Sequence, residues 1–241
     1  MKRVRILIIA LGLAIAGAAV GLAPVRTVAA PTIQPGSSLE FGNSYCTLGW
    51  IFTSAGHVYA SSASHCTTGV GQQVDLATGS LGSAIEPIGT VVYKGSALDY
   101  CLIELYTNVL PQVSAAMAGH PTIPTGVSTP STAHLGDLLQ FSGHGVGFDL
   151  LALTQQSRVG VFNFFDGQGN QYGVGPVTPG DSGGPVADLS DGGKALGIVD
   201  TVGLTLDLPT GANVGEGGVA IYALLQDAQA HGFSGLSLRT V

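Results

Sequence analysis

The stretch "TPGDSGGPV", Thr178 to Val186, places one carboxyl group and one hydroxyl group in a frame of glycines and prolines. Glycine lets backbone amides approach a ligand closely and adopt angles that other residues avoid. In such a turn, Ser182 could face a substrate carbonyl group while neighbouring N–H groups point at the same oxygen. The other interpretation is an ordinary loop between two strands. A base elsewhere in the chain, together with a group that orients it, would decide between the two.

The composition favours a β protein. The chain has 241 residues, of which 37 are glycine and only 10% are charged, which is typical of a turn-rich, well-packed β fold. Short β-forming segments broken by Gly, Ser or Thr run from Cys46 to Leu105 and resume after Gly136. The segment Gly119 to Gly136 is rich in Pro, Thr and Ser without periodicity, which predicts a connection between two halves.

One amphipathic helix is predicted near the end of the chain. Four apolar residues recur there at the helical spacing i, i+3, i+4 and i+7, namely Ile221, Leu224, Leu225 and Ala228. Gly232 follows them as a stop signal.

The first thirty residues predict a secretory signal peptide. Three basic residues precede an apolar run over 6–23, and small residues close it before a cleavage site after Ala29 or Ala30. An uncleaved membrane anchor is the alternative, because the apolar run is marginally long enough to span a bilayer. The many Ala and Gly residues and the small-residue exit favour cleavage and export, with no stable membrane association afterwards.

Charge excludes one class of partner. Removal of the signal peptide, which contains Lys2, Arg3, Arg5 and Arg26, leaves four basic residues against fifteen acidic ones. Such a surface repels phosphate backbones, so nucleic acid is not expected as a partner.

Three cysteines are present, Cys46, Cys66 and Cys101. In an oxidising compartment, one pair and one leftover thiol are expected. The adjacent His65 and Cys66 with Cys46 form a poor zinc pattern because no fourth ligand accompanies them. We therefore expect neither a metal nor another cofactor.

Two histidines in the segment Cys46 to Gly69 compete for the role of a base. His57 lies in a glycine-containing turn and is interpreted as a solvated residue at a loop tip. His65 ends a strand-like run directly before Cys66. Taken alone, His65 could equally be a partly buried histidine beside a structural disulfide.

Asp99 stands immediately before an apolar strand in "SALDYCLIEL". A carboxylate that enters a buried strand is costly unless a donor meets it. A histidine N–H would meet it and would in turn be held in one tautomer. The alternative is an aspartate that only caps the end of a strand.

Read together, these stretches resemble the chymotrypsin-like serine peptidases, most closely the secreted bacterial streptogrisin and α-lytic protease branch. The likeness rests on the order His, Asp, then Ser in "GDSGGP", and on the Cys directly after the His. Further matches are "CTLGW" at Cys46–Trp50, "DYC" at Asp99–Cys101 and "SGHGVGF" at Ser142–Phe148.

The resemblance implies roles for individual residues. Ser182 would be the nucleophile, His65 the general base, and Asp99 the group that orients and stabilises the imidazolium. The amides of Gly180 and Ser182 would form the oxyanion hole.

The resemblance also implies an all-β fold of two antiparallel six-stranded β-barrels with a C-terminal α-helix. Residues 31–125 would form the first barrel, and 126–241 the second barrel and the closing helix, with the site between the barrels. We expect a Cys46–Cys66 disulfide and a Cys101 buried in the first barrel as core filling.

The function implied is a secreted, monomeric serine endopeptidase that hydrolyses polypeptides through an acyl-enzyme. The alternative is a catalytically weak or inactive peptidase-fold protein that serves as a secreted binding module. Pro176, six residues before Ser182, would lie at the base of the substrate pocket, with Asp200 and Thr201 on the adjoining strand. Glu216 would stand on a pocket wall but is interpreted as a solvated loop acid. An uncharged pocket base predicts neutral side chains before the cut bond.

Two features depart from the pattern of this family. No "IVGG"-like start follows the predicted signal peptide, so Asp181 is expected to pair with an internal group, either His144 or Arg158. Asp200 stands where the family usually has Ser. A second carboxylate near Asp99 is expected to raise a pKa and to alter or weaken the site.

Overall fold

The computed structural model describes residues 31–151, 155–206 and 212–241. The predicted signal peptide, 1–30, lies outside the described residues. Within the described ranges, no helix has the length and apolar character needed to cross a bilayer.

The first half of the chain folds into one antiparallel sheet. Its strands are β1 (Ser38–Phe41), β2 (Ser44–Thr47), β3 (Ile51–Ser54), β4 (His57–Ser62), β5 (Gln73–Ala77), β6 (Ala84–Lys94) and β7 (Cys101–Leu105). The order in the sheet is β3-β4-β7-β6-β5-β1-β2, and a strand from the end of the chain, β15 (Ser237–Leu238), adds to β3. The inward side chains form an apolar core that includes Leu39, Val74 and Ile103, all without exposed surface.

The second half forms another antiparallel sheet. Its strands are β8 (Leu138–Phe141), β9 (Arg158–Phe165), β10 (Asn170–Val174), β11 (Pro185–Asp188), β12 (Lys194–Ile198), β13 (Thr201–Leu206) and β14 (Ala212–Val219). Their order is β12-β11-β8-β9-β10-β14-β13. The connection between the halves, residues 119–136, contains no named strand or helix, as its composition predicted.

Each sheet closes into a barrel because two strands at its opposite ends are consecutive in the chain and are joined by a short bend. β2 and β3 are separated only by residues 48–50, and β12 and β13 only by 199–200. The change of partner is visible at Gly49: the N–H of Leu48 donates to Ser37, whereas that of Gly49 donates to Ser61. The first sheet has eight named strands and the second has seven. If β2 and β3 are counted as one bent strand, β12 and β13 as another, and β15 is left out, each sheet has six strands. The predicted all-β fold of two antiparallel barrels is confirmed.

The predicted C-terminal helix is confirmed. The described residues contain two α-helices, α1 (Val146–Leu150) and α2 (Ile221–Ala230), besides 3₁₀ turns at Ser64–Cys66 and Thr107–Gln112. α2 buries Ile221, Leu224 and Ala228, which are three of the four apolar positions that predicted it. Asp227 of α2 accepts hydrogen bonds from Tyr93 (2.9 Å) and Tyr100 (2.7 Å), so the helix is tied to the first sheet beside Asp99.

The cysteines are arranged as the resemblance implied. Cys46 of β2 is bonded to Cys66. Cys101 is a free thiol with no exposed surface, and burial raises its pKa to about 12. A group in that state is inert packing rather than a nucleophile.

A buried ion pair anchors the "GDSGGP" turn to the second sheet. Arg158, the first residue of β9, contacts both carboxylate oxygens of Asp181 at 2.6 and 2.7 Å, and the two side chains are 4% and 1% exposed. The guanidinium group also donates to the carbonyl of Pro176 at 2.9 Å, and Asp181 accepts the N–H of Thr178. Arg158 is therefore the partner of Asp181. The other candidate, His144, instead lies with its Nδ1 3.9 Å from a carboxylate oxygen of Asp149.

We expect Arg158→Met to lower the free energy of unfolding by about 3–5 kcal/mol, because it leaves the Asp181 carboxylate buried without a counter-charge. Urea unfolding of the purified protein measures this change. The matched control is Lys194→Met, which breaks the half-exposed Lys194–Asp191 pair (2.8 Å) and is expected to cost no more than about 1 kcal/mol. Equal losses in the two variants would contradict the anchoring role of Arg158.

Candidate active site

His65 and Asp99 form a close pair at the ends of two neighbouring strands of the first sheet, β4 and β7. Nδ1 of His65 lies 2.7 Å from Oδ2 of Asp99, and Oδ1 of Asp99 accepts the backbone N–H of His65 (2.9 Å) and the hydroxyl of Ser64 (2.7 Å). Burial raises the pKa of Asp99, but the hydrogen bonds from His65 and Ser64 outweigh it and bring the pKa to about 2. Asp99 is thus ionised across the physiological range and fixes the orientation of the imidazole.

The register of two strands brings this pair together. β4 and β7 are antiparallel, with Ser62 opposite Cys101. The chain leaves β4 into the 3₁₀ turn that carries His65, and it enters β7 directly after Asp99 and Tyr100. His65, just after the end of β4, therefore lies close to Asp99, just before the start of β7. The Cys46–Cys66 disulfide also ties the turn that carries His65 to β2.

Glycines in the "GDSGGP" turn allow it to approach the first sheet. Gly183 has φ +84°, and a Cβ atom there would lie 2.3 Å from Oγ of Ser62 and 2.7 Å from the amide nitrogen of Ala63. No side chain fits such a gap. The carbonyl of Ser182 accepts the N–H of Thr47 at 2.8 Å. Ser182 is thereby held against β2, the strand that the Cys46–Cys66 disulfide ties to the turn carrying His65.

Two backbone amides in the turn are free. Gly180 adopts φ +100°, and its carbonyl accepts the Thr47 hydroxyl at 2.8 Å. Among the described residues, neither the N–H of Gly180 nor that of Ser182 donates to a protein acceptor, and the Ser182 hydroxyl makes no hydrogen bond, to His65 or to any other group. Catalytic hydrogen bonds often tighten only when substrate binds. The free amides can therefore receive an oxyanion.

The predicted pocket residues have different environments. Pro176 and Thr201 are exposed, and the carbonyl of Pro176 accepts the hydrogen bond from Arg158. The interpretation of Glu216 as a solvated loop acid is wrong. Glu216 is 2% exposed, lies on β14 opposite Gly173 of β10, and accepts a hydrogen bond from Nε2 of Gln171 at 2.9 Å. Burial raises its pKa to about 8, so it is mainly neutral at pH 7.

Asp200 lies at the bend between β12 and β13. Its Oδ1 atom is shut off from solvent and has no hydrogen-bond partner among the described residues. Burial raises the pKa of Asp200 well above the usual value, the negative charge of Asp99 raises it further, and Glu216 adds to the rise when it ionises. The expectation that a second carboxylate near Asp99 raises a pKa is confirmed, and the pKa that rises belongs to Asp200.

The remaining candidates fall outside the site. His57 is half-exposed on β4 and pairs with Glu104 of β7 at 2.6 Å, so its solvated character is confirmed. The ligand atoms of Cys46, His65 and Cys66 lie within 4.8 Å of one another, but the two sulfur atoms are joined in a disulfide. Oxidised sulfurs are not the thiolate ligands that a zinc site needs.

Sequence reasoning missed three polar groups that support the site. Ser64 donates to Asp99, Thr47 donates to the carbonyl of Gly180, and the hydroxyl of Ser62 donates to the carbonyl of Thr47 at 2.9 Å. Their partners are 15 to 133 residues away in the chain, so no local pattern could have revealed them.

Comparisons with known proteins are informative at the level of structure. No family model matches the sequence, and no curated protein matches it. The chain is similar in structure to Thermobifida fusca protease A, with a TM-score of 0.58, 21% identity and coverage of 87% of this chain and 100% of that one.

Two further solved structures are similar over 86% of this chain and all of theirs. One is a glutamic acid-specific serine protease described as using a histidine triad in substrate binding (TM-score 0.58, 19% identity), and the other is an α-lytic protease homologue, N4 (TM-score 0.54, 18% identity). Likeness at this identity establishes the fold. The chain has the chymotrypsin-like fold of the bacterial serine proteases.

Proposed function

We propose that this protein is a secreted serine endopeptidase that hydrolyses polypeptides through an acyl-enzyme on Ser182. The observation that carries the proposal is the 2.7 Å contact between Nδ1 of His65 and Oδ2 of Asp99. An ionised Asp99 accepts the Nδ1 proton, so the neutral imidazole presents the lone pair of Nε2 as a base.

Each residue then has a chemical task. Nε2 of His65 takes the proton of the Ser182 hydroxyl as its oxygen attacks the scissile carbonyl, and Asp99 stabilises the imidazolium that forms. The imidazolium gives the proton to the leaving amine, which breaks the peptide bond and leaves Ser182 acylated. A water molecule, deprotonated by the same nitrogen, hydrolyses the ester and regenerates the hydroxyl group.

The free amides of Gly180 and Ser182 supply electrostatic stabilisation in this scheme. They would donate to the oxygen that becomes negative in the tetrahedral intermediate. Loss of one such donor typically costs about 3–4 kcal/mol of transition-state stabilisation. This function explains why the turn is built from glycine and why Thr47 holds the carbonyl of Gly180.

The substrate pocket is proposed to take neutral side chains. Its base, Pro176, is uncharged, and the Arg158 guanidinium lies directly behind it on the Pro176 carbonyl. The acids that could balance a cationic substrate group, Asp200 and Glu216, both have raised pKa values. Ionisation of either acid is therefore disfavoured, so a lysine or arginine side chain would find only a weak partner there.

Export is part of the proposal. The N-terminal segment has the layout of a signal peptide, and the Cys46–Cys66 disulfide suits an oxidising compartment. A protein released there would act as a monomer on polypeptides, without metal or other cofactor.

A second candidate is a secreted binding module that retains the fold without efficient catalysis. The observation that favours it is Asp200, an acid whose Oδ1 atom is shut off from solvent without a partner and whose pKa is raised by burial and by the charge of Asp99. A covalent active-site label distinguishes the two functions because labelling requires an activated hydroxyl group.

We expect a fluorophosphonate probe to label Ser182 of the mature protein, and Ser182→Ala to lose both labelling and casein hydrolysis while folding normally. Only a hydroxyl beside a base becomes a strong nucleophile. Mass spectrometry of the labelled peptide and a casein digest measure the two losses. Labelling of Ser182→Ala at the wild-type level would refute the assignment.

The two histidines provide a matched comparison for the base. His65→Ala is expected to lower labelling and hydrolysis by at least about a thousandfold, as removal of one member of a triad does. His57→Ala removes the same ring from a half-exposed ion pair and should leave both rates unchanged. Similar losses in the two variants would reopen the choice of base.

A peptide-library digest at pH 7 is expected to give cleavage after neutral, apolar or small residues. Dominant cleavage after Lys or Arg would contradict the neutral pocket. In that event Asp200→Asn and Glu216→Gln would show which carboxylate supplies the counter-charge, since only the responsible variant would lose the basic preference.

A further inference from the structure

The two amides of the proposed oxyanion hole are held in different ways. In a trans peptide group, the N–H points opposite to the carbonyl of the preceding residue. The direction of the Gly180 amide is therefore set by the carbonyl of Pro179, and that of the Ser182 amide by the carbonyl of Asp181. The Asp181 carbonyl accepts the N–H of Gly184 at 2.7 Å. The Ser182 amide is thus fixed by a hydrogen bond within the turn itself.

The carbonyl of Pro179 is held from outside the turn. It accepts the N–H of Val146, the first residue of α1, at 2.7 Å. Gly180 has φ +100° and no side chain that would resist rotation of the peptide group it shares with Pro179. Without the hydrogen bond, that peptide group could turn over, which would point the Pro179 carbonyl into the hole and the Gly180 N–H away from it. The Val146 N–H therefore decides whether the hole has two donors or one.

α1 depends on contacts with the rest of the protein, because a helix of five residues is not stable by itself. Asp149 supplies one such contact with the first half: its Oδ2 accepts the N–H of Ser80 at 2.7 Å, in the loop 78–83 between β5 and β6. Its Oδ1 accepts a hydrogen bond from Nε2 of Gln155, which also donates to the carbonyl of Gly145 at 3.3 Å, directly before α1. One carboxylate thus connects both ends of α1 to the first half.

The carboxyl group of Asp149 acts through these hydrogen bonds. Burial raises its pKa, but the hydrogen bonds from Ser80 outweigh burial and hold the pKa below the usual value. Asp149 is therefore an ionised acceptor at neutral pH. The ring of His144 is near, but its Nδ1 is 3.9 Å from the Asp149 carboxylate, which is beyond hydrogen-bonding distance.

We propose that Asp149 is a positioning residue for the oxyanion hole. It fastens α1 to the loop 78–83, α1 presents the Val146 N–H to the Pro179 carbonyl, and this hydrogen bond keeps the Gly180 N–H turned toward the substrate. The inference rests on the proposed role of the Gly180 amide. It gives a loop of the first half a part in building a donor that belongs to the second half.

Asp149→Ala is expected to lower kcat for a chromogenic peptide substrate by at least about tenfold, since loss of one donor typically lowers kcat by about 10²–10³. KM should stay within about twofold of wild type, because the hole binds the transition state more strongly than the substrate. Asp149→Asn is the conservative variant and should retain most of the wild-type kcat. It keeps an acceptor for the Ser80 N–H, and its amide can donate to Oε1 of Gln155, which is buried without a partner among the described residues.

The two variants also separate hydrogen bonding from charge. Both remove the negative charge beside His144, but only Asp149→Ala removes the acceptor for Ser80. Equal losses of kcat in the two variants would assign the effect to the charge and overturn the proposal.

The scalar coupling across the hydrogen bond between Val146 and Pro179 tests the proposal without peptidase activity. NMR detects this coupling between the donor nitrogen and the acceptor carbonyl carbon. We expect it in wild type and in Asp149→Asn, and we expect its loss in Asp149→Ala. Absence of the coupling from wild type, its survival in Asp149→Ala, or its loss there without a fall in kcat of an active enzyme would each overturn the proposal.

Asp137→Ala is the matched control for general destabilisation. Asp137 is similarly buried, with a side chain 18% exposed against 24% for Asp149, and its Oδ2 accepts one backbone N–H, that of His134, at 2.6 Å. The change removes the same kind of hydrogen bond from a turn before β8, so kcat and the coupling should both match wild type. Losses equal to those of Asp149→Ala would contradict a specific role of Asp149.

Two outcomes remain distinct. If Asp149→Ala does not fold, Asp149→Ser takes its place, because its side chain is polar but too short to reach the Ser80 N–H. A wild-type protein without labelling or hydrolysis, in which the coupling is nevertheless lost only with the Ser80 acceptor, would refute the peptidase function. The same result would establish that Asp149 sets the orientation of the peptide group between Pro179 and Gly180.

Discussion

The buried pair between Arg158 and Asp181 is the interaction on which the site depends. Asp181 lies between Gly180 and Ser182, the two residues whose amides stay free, and its carboxylate is held by both arms of one guanidinium group. That group also fixes the carbonyl of Pro176, five residues earlier. One cation thus sets the path of the whole turn, from the base of the proposed pocket to Ser182, the proposed nucleophile. The glycines of the turn are needed because this path runs against the first sheet.

The first half of the site is set by hydrogen-bond register rather than by charge. Residues 34 apart in sequence meet because β4 and β7 are neighbours and because the disulfide fixes the turn after β4. The low pKa of Asp99 results from three donors that this geometry delivers. A one-residue slip of β7 would turn Asp99 away from the imidazole, so strand pairing and chemistry are coupled here.

The sequence predicted the strands, the closing helix, the disulfide and the two halves, because each has a local signal or a specific motif. The sequence narrowed the partner of Asp181 to His144 or Arg158. It could not decide between them, because the burial of Arg158 depends on the tertiary structure. It failed at Glu216 because the glycines of "NVGEGG" suggested a loop. Those glycines instead lie in a strand paired with β10, opposite the equally small Gly173. Donors such as Ser64 and Thr47 act on groups remote in sequence, and only the tertiary structure identifies them.

The short strand β15 has a consequence for the order of assembly. Ser237 and Leu238 pair with Thr53 and Phe52, across 184 residues of chain, and so complete the edge of a sheet whose other strands come from the first half. Contacts between such distant residues close the largest loops and form late in folding. During synthesis, β3 therefore has one open edge until the end of the chain is available. The sheet that carries His65, the proposed base, is therefore completed late, although its other strands come from the first half of the sequence.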